Sequence, residues 1–299
     1  MKRVIGIDLG GTSINGGLID EEGNIIKRAD KDTLTANSRY EVLQRVSEVI
    51  DTLMEDEVIG IGIGSPGFID FDEGKVLKVG GNIKDWAGTS IKEELKKRYF
   101  NIPIFVENDA NVAAICEHWK GAAKKYNNFI MLTLGSGLGG AIYIENHGLI
   151  KGHRYRGGEL GHAIFIPNGR LCTCGQKGCV EQYISGNAVE KIYEERTGIK
   201  KKGKDILKSI NEDDIANEIL HEFSHNLAIY ITTLKNIFDP QRIVIGGGVI
   251  NSKEYWWDDM IESFKKYSND SEDMDIVPAE YLNDAGMIGA GKIVIDGVR

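Results

Sequence analysis

The sequence predicts an α/β protein of two similar units with a cleft between them. Three observations carry this expectation. The chain has 299 residues, about twice the ~150 of a typical domain. A strand, a glycine turn bearing a hydroxyl, and a returning strand occur at 4–18 and again at 129–144. Glycine is abundant at 37 residues while proline is scarce at 5, a pattern of tight turns and close backbone approaches and not of a disordered linker.

The elements follow in order. Residues 3–8 (Arg-Val-Ile-Gly-Ile-Asp) form a buried apolar run and read as a strand. After Gly10-Gly11-Thr12, residues 13–20 read as a second strand, and Glu21-Glu22-Gly23-Asn24 turns the chain into a third. Val42, Leu43, Val46, Val49, Ile50 and Leu53 recur at the helical period, which predicts a helix over 39–54. Strands are expected at 58–63 and 102–106, with a short helix at 91–99 and a small-residue helix through Ala110, Ala113 and Ala114. The second unit opens with strands at 129–134 and 141–144. A loop-rich region over 145–183 follows, then a long helix over 213–238 that Asp239-Pro240 ends. A strand at 242–245 and a closing helix at 285–293 complete the chain. The expected domains are 1–116 with 286–299, and 117–285.

Hydrophobic residues make up 41% and charged residues 27%, an ordinary globular balance. Lys and Arg total 36 and Asp and Glu 45, a net charge of −9. This argues against sequence-independent nucleic-acid binding, which needs a basic face. No stretch approaches the ~18 consecutive apolar residues of a membrane span. The basic start Met1-Lys2-Arg3 is followed by too short an apolar run for a signal peptide. The expectation is a cytoplasmic protein without membrane partners, whose four cysteines are metal ligands or buried thiols.

Gly135-Ser136-Gly137-Leu138-Gly139-Gly140 satisfies G-x-G-x-x-G, but a strand follows it where a dinucleotide site needs a helix. No P-loop motif occurs. What remains is a pair of glycine hairpins in equivalent places, whose backbone N–H groups suit phosphate. Asp8 could hold Mg²⁺ through water, and Gly246, Gly247 and Gly248 offer bare backbone to an adenosine. His162, Cys172, Cys174 and Cys179 read H-x9-C-x-C-x4-C, a ligand set for one tetrahedral structural zinc ion. Cys116 reads as core packing. His221-Glu222-Phe223-Ser224-His225 matches H-E-x-x-H, but it lies on an amphipathic helix with no clear third ligand, so helix-surface histidines are expected.

Glu107-Asn108-Asp109-Ala110-Asn111 ends a strand and opens a helix, so Asn108 or Asp109 also suits an N-cap. Glu159 precedes His162 by three residues and Glu181 follows Cys179 by two. Zinc would tie these two carboxylates together. Fixed carboxylates and an Asn, with no cation in the motif, suit the vicinal hydroxyls of a polyhydroxylated ligand.

Together these residues resemble the ROK sugar kinases, the bacterial-type glucokinases and their relatives. The matching segments are Gly6-Ile-Asp-Leu-Gly-Gly-Thr12, Ser65-Pro66-Gly67, Glu107-Asn-Asp-Ala-Asn111, Leu134-Gly-Ser-Gly-Leu-Gly-Gly140, Gly158-Glu-Leu-Gly-His162, Cys172-Thr-Cys-Gly-Gln-Lys-Gly-Cys-Val-Glu181, Asp239-Pro240 and Ile245-Gly-Gly-Gly248. They run in family order across nearly the whole chain. The resemblance implies a two-domain actin-like (ribonuclease H-like) ATPase fold whose interdomain cleft closes around ATP and a sugar. It implies Asp109 as catalytic base, and Asn108, Glu159, His162 and Glu181 as sugar ligands, with His162 also on zinc. It places Asp8, Gly10, Gly11 and Thr12 against the phosphates, with Gly135, Ser136 and Gly137 opposite, and a dimeric or tetrameric assembly. The implied reaction moves the γ-phosphoryl group of Mg-ATP to a hexose hydroxyl, O6 of glucose or a close relative. In one place the sequence departs from the family. The usual G-A-x-G-x-A-G-E reads Gly152-His153-Arg154-Tyr155-Arg156-Gly157-Gly158-Glu159, with bulky Tyr155 and Arg156 in place of small residues beside the sugar pocket.

Rival readings are weighed on the same residues. A sugar-sensing repressor of the family carries a DNA-binding segment before the first strand, which here begins at residue 3. An actin-like filament or chaperone ATPase does not need the zinc knuckle or the carboxylates. Within the kinases the alternatives are N-acetylmannosamine or N-acetylglucosamine kinase, then fructokinase or β-glucoside kinase.

Overall fold

The computed structural model describes residues 2–34, 38–78, 83–272 and 274–298; Met1 of the basic start and Arg299 of the expected first domain lie outside them. The chain divides into two compact units, Met1–Lys125 with Leu149–Gly157 and Asn283–Arg299, and Tyr126–Gly148 with Gly158–Leu282. The sequence boundary at 116 falls inside a helix, and the segment Leu149–Gly157, expected in the second domain, packs with the first unit.

In the first unit β1 (Arg3–Leu9), β2 (Ser13–Ile19) and β3 (Ile25–Asp32) form an antiparallel meander. Helix α1 (Arg39–Leu53) leads to β4 (Val58–Ser65), which pairs parallel with β1. A small hairpin follows, β5 (Phe68–Asp70) and β6 (Lys75–Lys78). Helix α2 (Ile91–Lys96) is shorter than expected; β7 (Ile104–Asn108) then pairs parallel with β4, and α3 (Asp109–Trp119) starts directly at its end. The described sheet runs β3-β2-β1-β4-β7.

Strand alternation sorts the faces of β1. Ile5, Ile7 and Leu9 enter a core with Val42, Val46 and Ile50 of α1. Gly6 faces the other way, onto the C-terminal helix, where a Cβ would overlap the Met287 carbonyl oxygen. Asp8, two residues on, shares that face and lies against Gly286. The glycine in Gly-Ile-Asp thus lets a helix lie directly on the strand that delivers the carboxylate.

The second unit repeats the plan. β8 (Phe129–Leu134) and β9 (Leu138–Ile144) form a hairpin, with β10 (Gly148–Leu149) beyond. A 3₁₀ turn at Leu160–His162, α4 (Glu181–Ile184), α5 (Gly186–Thr197), α6 (Gly203–Lys208) and α7 (Asp214–Phe238) follow. β11 (Arg242–Gly246) and β12 (Asp275–Pro278) pair in parallel beyond β8, with α8 (Trp257–Tyr267) between them in sequence. The order β10-β9-β8-β11-β12 matches that of the first sheet, so the internal echo in the sequence is a repeat of topology. α9 (Ala285–Gly297) returns to the first unit.

α1 and α7 match the sequence expectation. In α7 the side chain of Asp213 caps the start by accepting from the Ala216 N–H, and Asp239 ends the helix at φ 46°. His221 is exposed with its Nδ1 2.8 Å from Asp259, and Glu222 pairs with Arg196. The H-E-x-x-H match is therefore a solvated helix face. Cys116 is buried in α3, as expected.

Candidate active site

Candidate residues fall in both units. In the first, Asp8 is the penultimate residue of β1, and the turn that follows is closed by the Gly10 N–H donating to the Ser13 carbonyl at 2.9 Å. The Thr33 hydroxyl donates to the Gly10 carbonyl at 2.8 Å. Gly11 and Thr12 stand exposed at its tip.

The corner between β7 and α3 carries Asn108 and Asp109. Asn108 is the N-cap: its Oδ1 accepts from the N–H groups of Ala110 (2.9 Å) and Asn111 (3.2 Å). Its Nδ2 donates to the Gly67 carbonyl at 3.1 Å, which ties the corner to the start of the β5–β6 hairpin. The capping role weighed from the sequence is thus real. Asp109 follows as the first helical residue, half-buried. Burial pushes its carboxyl up to about 6, against the opposing pull of the Ala110 N–H. Burial, and then the nearby Asp109 charge, push Asp8 up to about 7. The first unit therefore brings together two carboxyls 101 positions apart in the chain, both shifted toward neutral pH by desolvation and one by its neighbour as well.

The cation that the motif lacks comes from elsewhere. Lys151 reaches buried Glu107, Nζ to Oε2 3.0 Å, while its ammonium lies 3.4 Å from the centroid of the Phe71 ring. The Leu149–Gly157 segment is further fixed by the Tyr155 hydroxyl, which donates to Asp72 at 2.7 Å, and by Arg156 over the Phe68 ring. Tyr155 has φ 54°, the left-handed region that favours glycine, and it stands where the family pattern has glycine. Tyr155→Phe keeps the unfavourable backbone and loses the bond to Asp72; Tyr155→Gly loses both. Tyr155→Phe is therefore expected to melt a few degrees below both the wild type and Tyr155→Gly. A Phe variant melting with the wild type would show that the Asp72 bond contributes nothing.

In the second unit the turn after β8 is closed by the Gly135 N–H donating to the Gly137 carbonyl at 2.9 Å. The Gly186 N–H, at the start of α5, donates to the Gly135 carbonyl at 2.8 Å. A pocket of about 630 Å³ opens here, lined by Gly135, Ser136, Gly186, Asn187 and Gly248 on one side and by apolar side chains including Phe223 and Trp256. A glycine turn beside a helix N-terminus suits phosphate, and the apolar wall suits a base. Of the three glycines expected to carry adenosine, Gly248 lines this pocket. Gly246 packs against Met131 and Ala279, and a Cβ on Gly247 (φ 84°) would overlap the Leu134 carbonyl oxygen. The α5 N-terminus and Lys202, Lys204 and Lys208 of this pocket were not singled out in the sequence, because no local motif marks them.

His162, Cys172, Cys174 and Cys179 converge, with one potential ligand atom from each all within 4.8 Å of one another. His162 Nδ1 is 3.7 Å from Cys172 Sγ, and Cys174 Sγ is 3.6 Å from Cys179 Sγ. A tetrahedron with metal–sulfur bonds of about 2.3 Å has S···S edges of about 3.8 Å, so the four atoms fit one ion. Gln176 Nε2 donates to the His162 carbonyl at 3.1 Å and braces the loop. Glu181 leaves the cluster toward the glycine turn: its Oε2 accepts from the Leu138 N–H at 3.0 Å, and its Oε1 is 3.8 Å from Cys172 Sγ. Glu159 precedes the 3₁₀ turn that ends at His162, its carbonyl accepting from the His162 N–H at 3.1 Å; the Tyr230 hydroxyl pins that turn by donating to the Leu160 carbonyl at 2.6 Å.

Two α/β units, each opening on a hairpin and continuing in parallel strands, with a glycine turn at the end of the first strand, define the class: the actin-like (ribonuclease H-like) ATPase fold. The profile of the ROK family matches residues 4–296, and the chain belongs to that family. It is 32% identical to a glucokinase of Thermotoga maritima, over 98% of this chain and 97% of that one. It is 32% identical to the xylose repressor of Bacillus subtilis, over 98% of this chain but 77% of the repressor. A crystal structure of a ROK family glucokinase from Streptomyces griseus, in complex with glucose and AMPPNP, superposes with a TM-score of 0.86 at 31% identity, covering 97% of this chain and 98% of that one.

Proposed function

We propose that this protein is an ATP-dependent hexose kinase of the ROK family, with glucose or a close relative as acceptor. The carrying observation is the half-buried Asp109 at the β7–α3 corner, its carboxyl pushed up to about 6 beside Asp8. The full-length likeness to glucokinases supports the same reading. In the reaction the acceptor hydroxyl oxygen bonds to the γ-phosphorus, the bond from that phosphorus to the β-γ bridging oxygen breaks, and ADP leaves. The hydroxyl proton passes to Asp109, a carboxylate above its shifted pKa. The transition state is loose, so placement of the hydroxyl matters more than base strength.

Asn108 on the first unit, and Glu159, His162 and Glu181 on the second, are assigned to the sugar hydroxyls. Asp8, Gly10, Gly11 and Thr12, and the turn of Gly135, Ser136 and Gly137, are assigned to the phosphates. The pocket beside Gly248 is assigned to the base, with Gly246 and Gly247 shaping the strand end behind it. Mg²⁺, held through Asp8 and water, would neutralise charge on the transferring phosphoryl group. His162, Cys172, Cys174 and Cys179 would hold zinc with no open position, a structural role. A cytoplasmic homodimer or homotetramer, without nucleic-acid or membrane partners, completes the proposal.

The test is ADP release from Mg-ATP across glucose, mannose, fructose, allose, N-acetylmannosamine, N-acetylglucosamine and cellobiose. One acceptor with a dominant kcat/KM is expected. No turnover in zinc-loaded protein, with sugar still bound, would favour the sensor reading suggested by the xylose-repressor likeness.

A further inference from the structure

We infer that Lys151 is a positioning residue for the Asn108–Asp109 corner, acting through Glu107. The inference rests on the roles proposed above for those two residues. Glu107, the penultimate residue of β7, has a side chain only 3% exposed, and both of its oxygens are engaged. Oε1 accepts from the Asn108 N–H at 2.9 Å and from Asn111 Nδ2 at 3.0 Å. Those two donors flank Asp109 on either side. Oε2 meets only the Lys151 ammonium among its described partners, at 3.0 Å.

Lys151 is itself held from two directions. Its ammonium lies over the Phe71 ring, and its carbonyl accepts from the Gly157 N–H at 2.8 Å. The bonds of Tyr155 to Asp72 and of Arg156 to the Phe68 ring keep the segment on the hairpin independently of Lys151. The ammonium is thus delivered to a fixed place and is not a drifting surface charge.

A buried carboxylate stripped of its cation is strongly disfavoured. It draws in water, which competes with the Asn108 N–H and the Asn111 amide for Oε1. The Asn108 N–H and the Asn111 amide then shift, and Asp109 shifts with them. Displacing a reacting group by ~1 Å can cost about 100-fold in rate. The effect should fall on kcat, through Asp109, more than on KM.

The experiment uses the whole protein and four variants: Lys151→Met, Lys151→Arg, Glu107→Gln, and Lys151→Met with Glu107→Gln. Lys151→Met keeps an unbranched side chain beside Phe71 and removes the charge, and with it the ammonium–ring contact. With the best acceptor, Lys151→Met is expected to lower kcat by roughly 10- to 100-fold, and Lys151→Arg to lose far less. Adding Glu107→Gln removes the stranded charge while its amide oxygen can still accept from Asn108 and Asn111. The double variant should recover most of the loss, a rescue that loss of packing alone does not give. Amide hydrogen exchange over residues 104–112 provides a readout that needs no turnover: faster in Lys151→Met, restored in the double variant. This exchange result stands even if no sugar is phosphorylated, so failure of the kinase reading is distinct from failure of this one. Wild-type kcat and exchange in Lys151→Met would overturn the inference. So would a folded double variant no better than Lys151→Met, and that arm applies even if the single variant does not fold.

Discussion

Asp109→Asn should lower kcat by about 10²- to 10⁴-fold, the usual contribution of a positioned general base, while KM for the sugar changes little. The substitution keeps shape and removes only the ability to take the proton. The same residue sets a pH dependence in the wild type. Burial raises the Asp109 carboxyl to about 6, and burial with the Asp109 charge raises Asp8 to about 7. The base must be ionised, so kcat should rise with pH through about 6 and level off above 7. Stability runs the other way. An acid whose folded pKa exceeds its unfolded value of 3.8 favours the fold most at low pH, and that contribution is lost as pH rises through the folded value. Asp109→Asn should therefore melt higher than the wild type at pH 8, with the gain fading toward pH 4. An Asn variant that keeps most of its kcat would remove Asp109 as base. One that melts lower at pH 8 would contradict the assigned burial cost.

Removing the metal should have the second large effect, and it should appear in sugar affinity. Cys172 and Cys179 are buried, and with Cys174 and His162 they hold the loop that ends at Glu181. Glu181 in turn braces the glycine turn through the Leu138 N–H. Without an ion these thiols have no common partner, and the 3₁₀ turn carrying Glu159 loses its tie through His162. Hydrogen bonds to charged groups contribute about 1.5–3 kcal/mol each, so loosening one carboxylate raises KM by roughly 10-fold or more. Chelated protein, shown by metal analysis to be zinc-free, should have that raised KM with a smaller change in kcat. Cys174→Ser should behave alike, and added zinc should restore only the chelated wild type. An unchanged KM in zinc-free protein would separate the cluster from the sugar site.

What the sequence revealed, and what it hid, follows from how local each signal is. α1 and α7 were legible because their apolar positions repeat every turn over 15 and 25 residues. The convergence of His162 with the three cysteines was legible because Cys172, Cys174 and Cys179 lie within eight residues in a glycine-rich loop. The two-unit plan was legible from a repeated hairpin. Lys151 was not, since its partner Glu107 lies 44 positions earlier and nothing periodic connects them. The β5–β6 hairpin and β12 were missed because strands of three or four residues carry little period; α5 and α8 were missed although Trp257, Met260, Ile261 and Phe264 of α8 recur at helical spacing. Asp8 and Asp109 were each visible as candidates, but the upward push of the Asp109 charge on Asp8 depends on β1 and β7 flanking β4. Tyr155 was visible as a departure from the family; its left-handed backbone and its bond to Asp72 were not.

The most direct test of the central claim is ADP release by the wild-type protein at saturating Mg-ATP, measured with and without hexose. The account predicts release that depends on the sugar, with one phosphorylated hexose formed per ADP. ADP release equal with and without every sugar, or none at all from zinc-loaded protein, would contradict it.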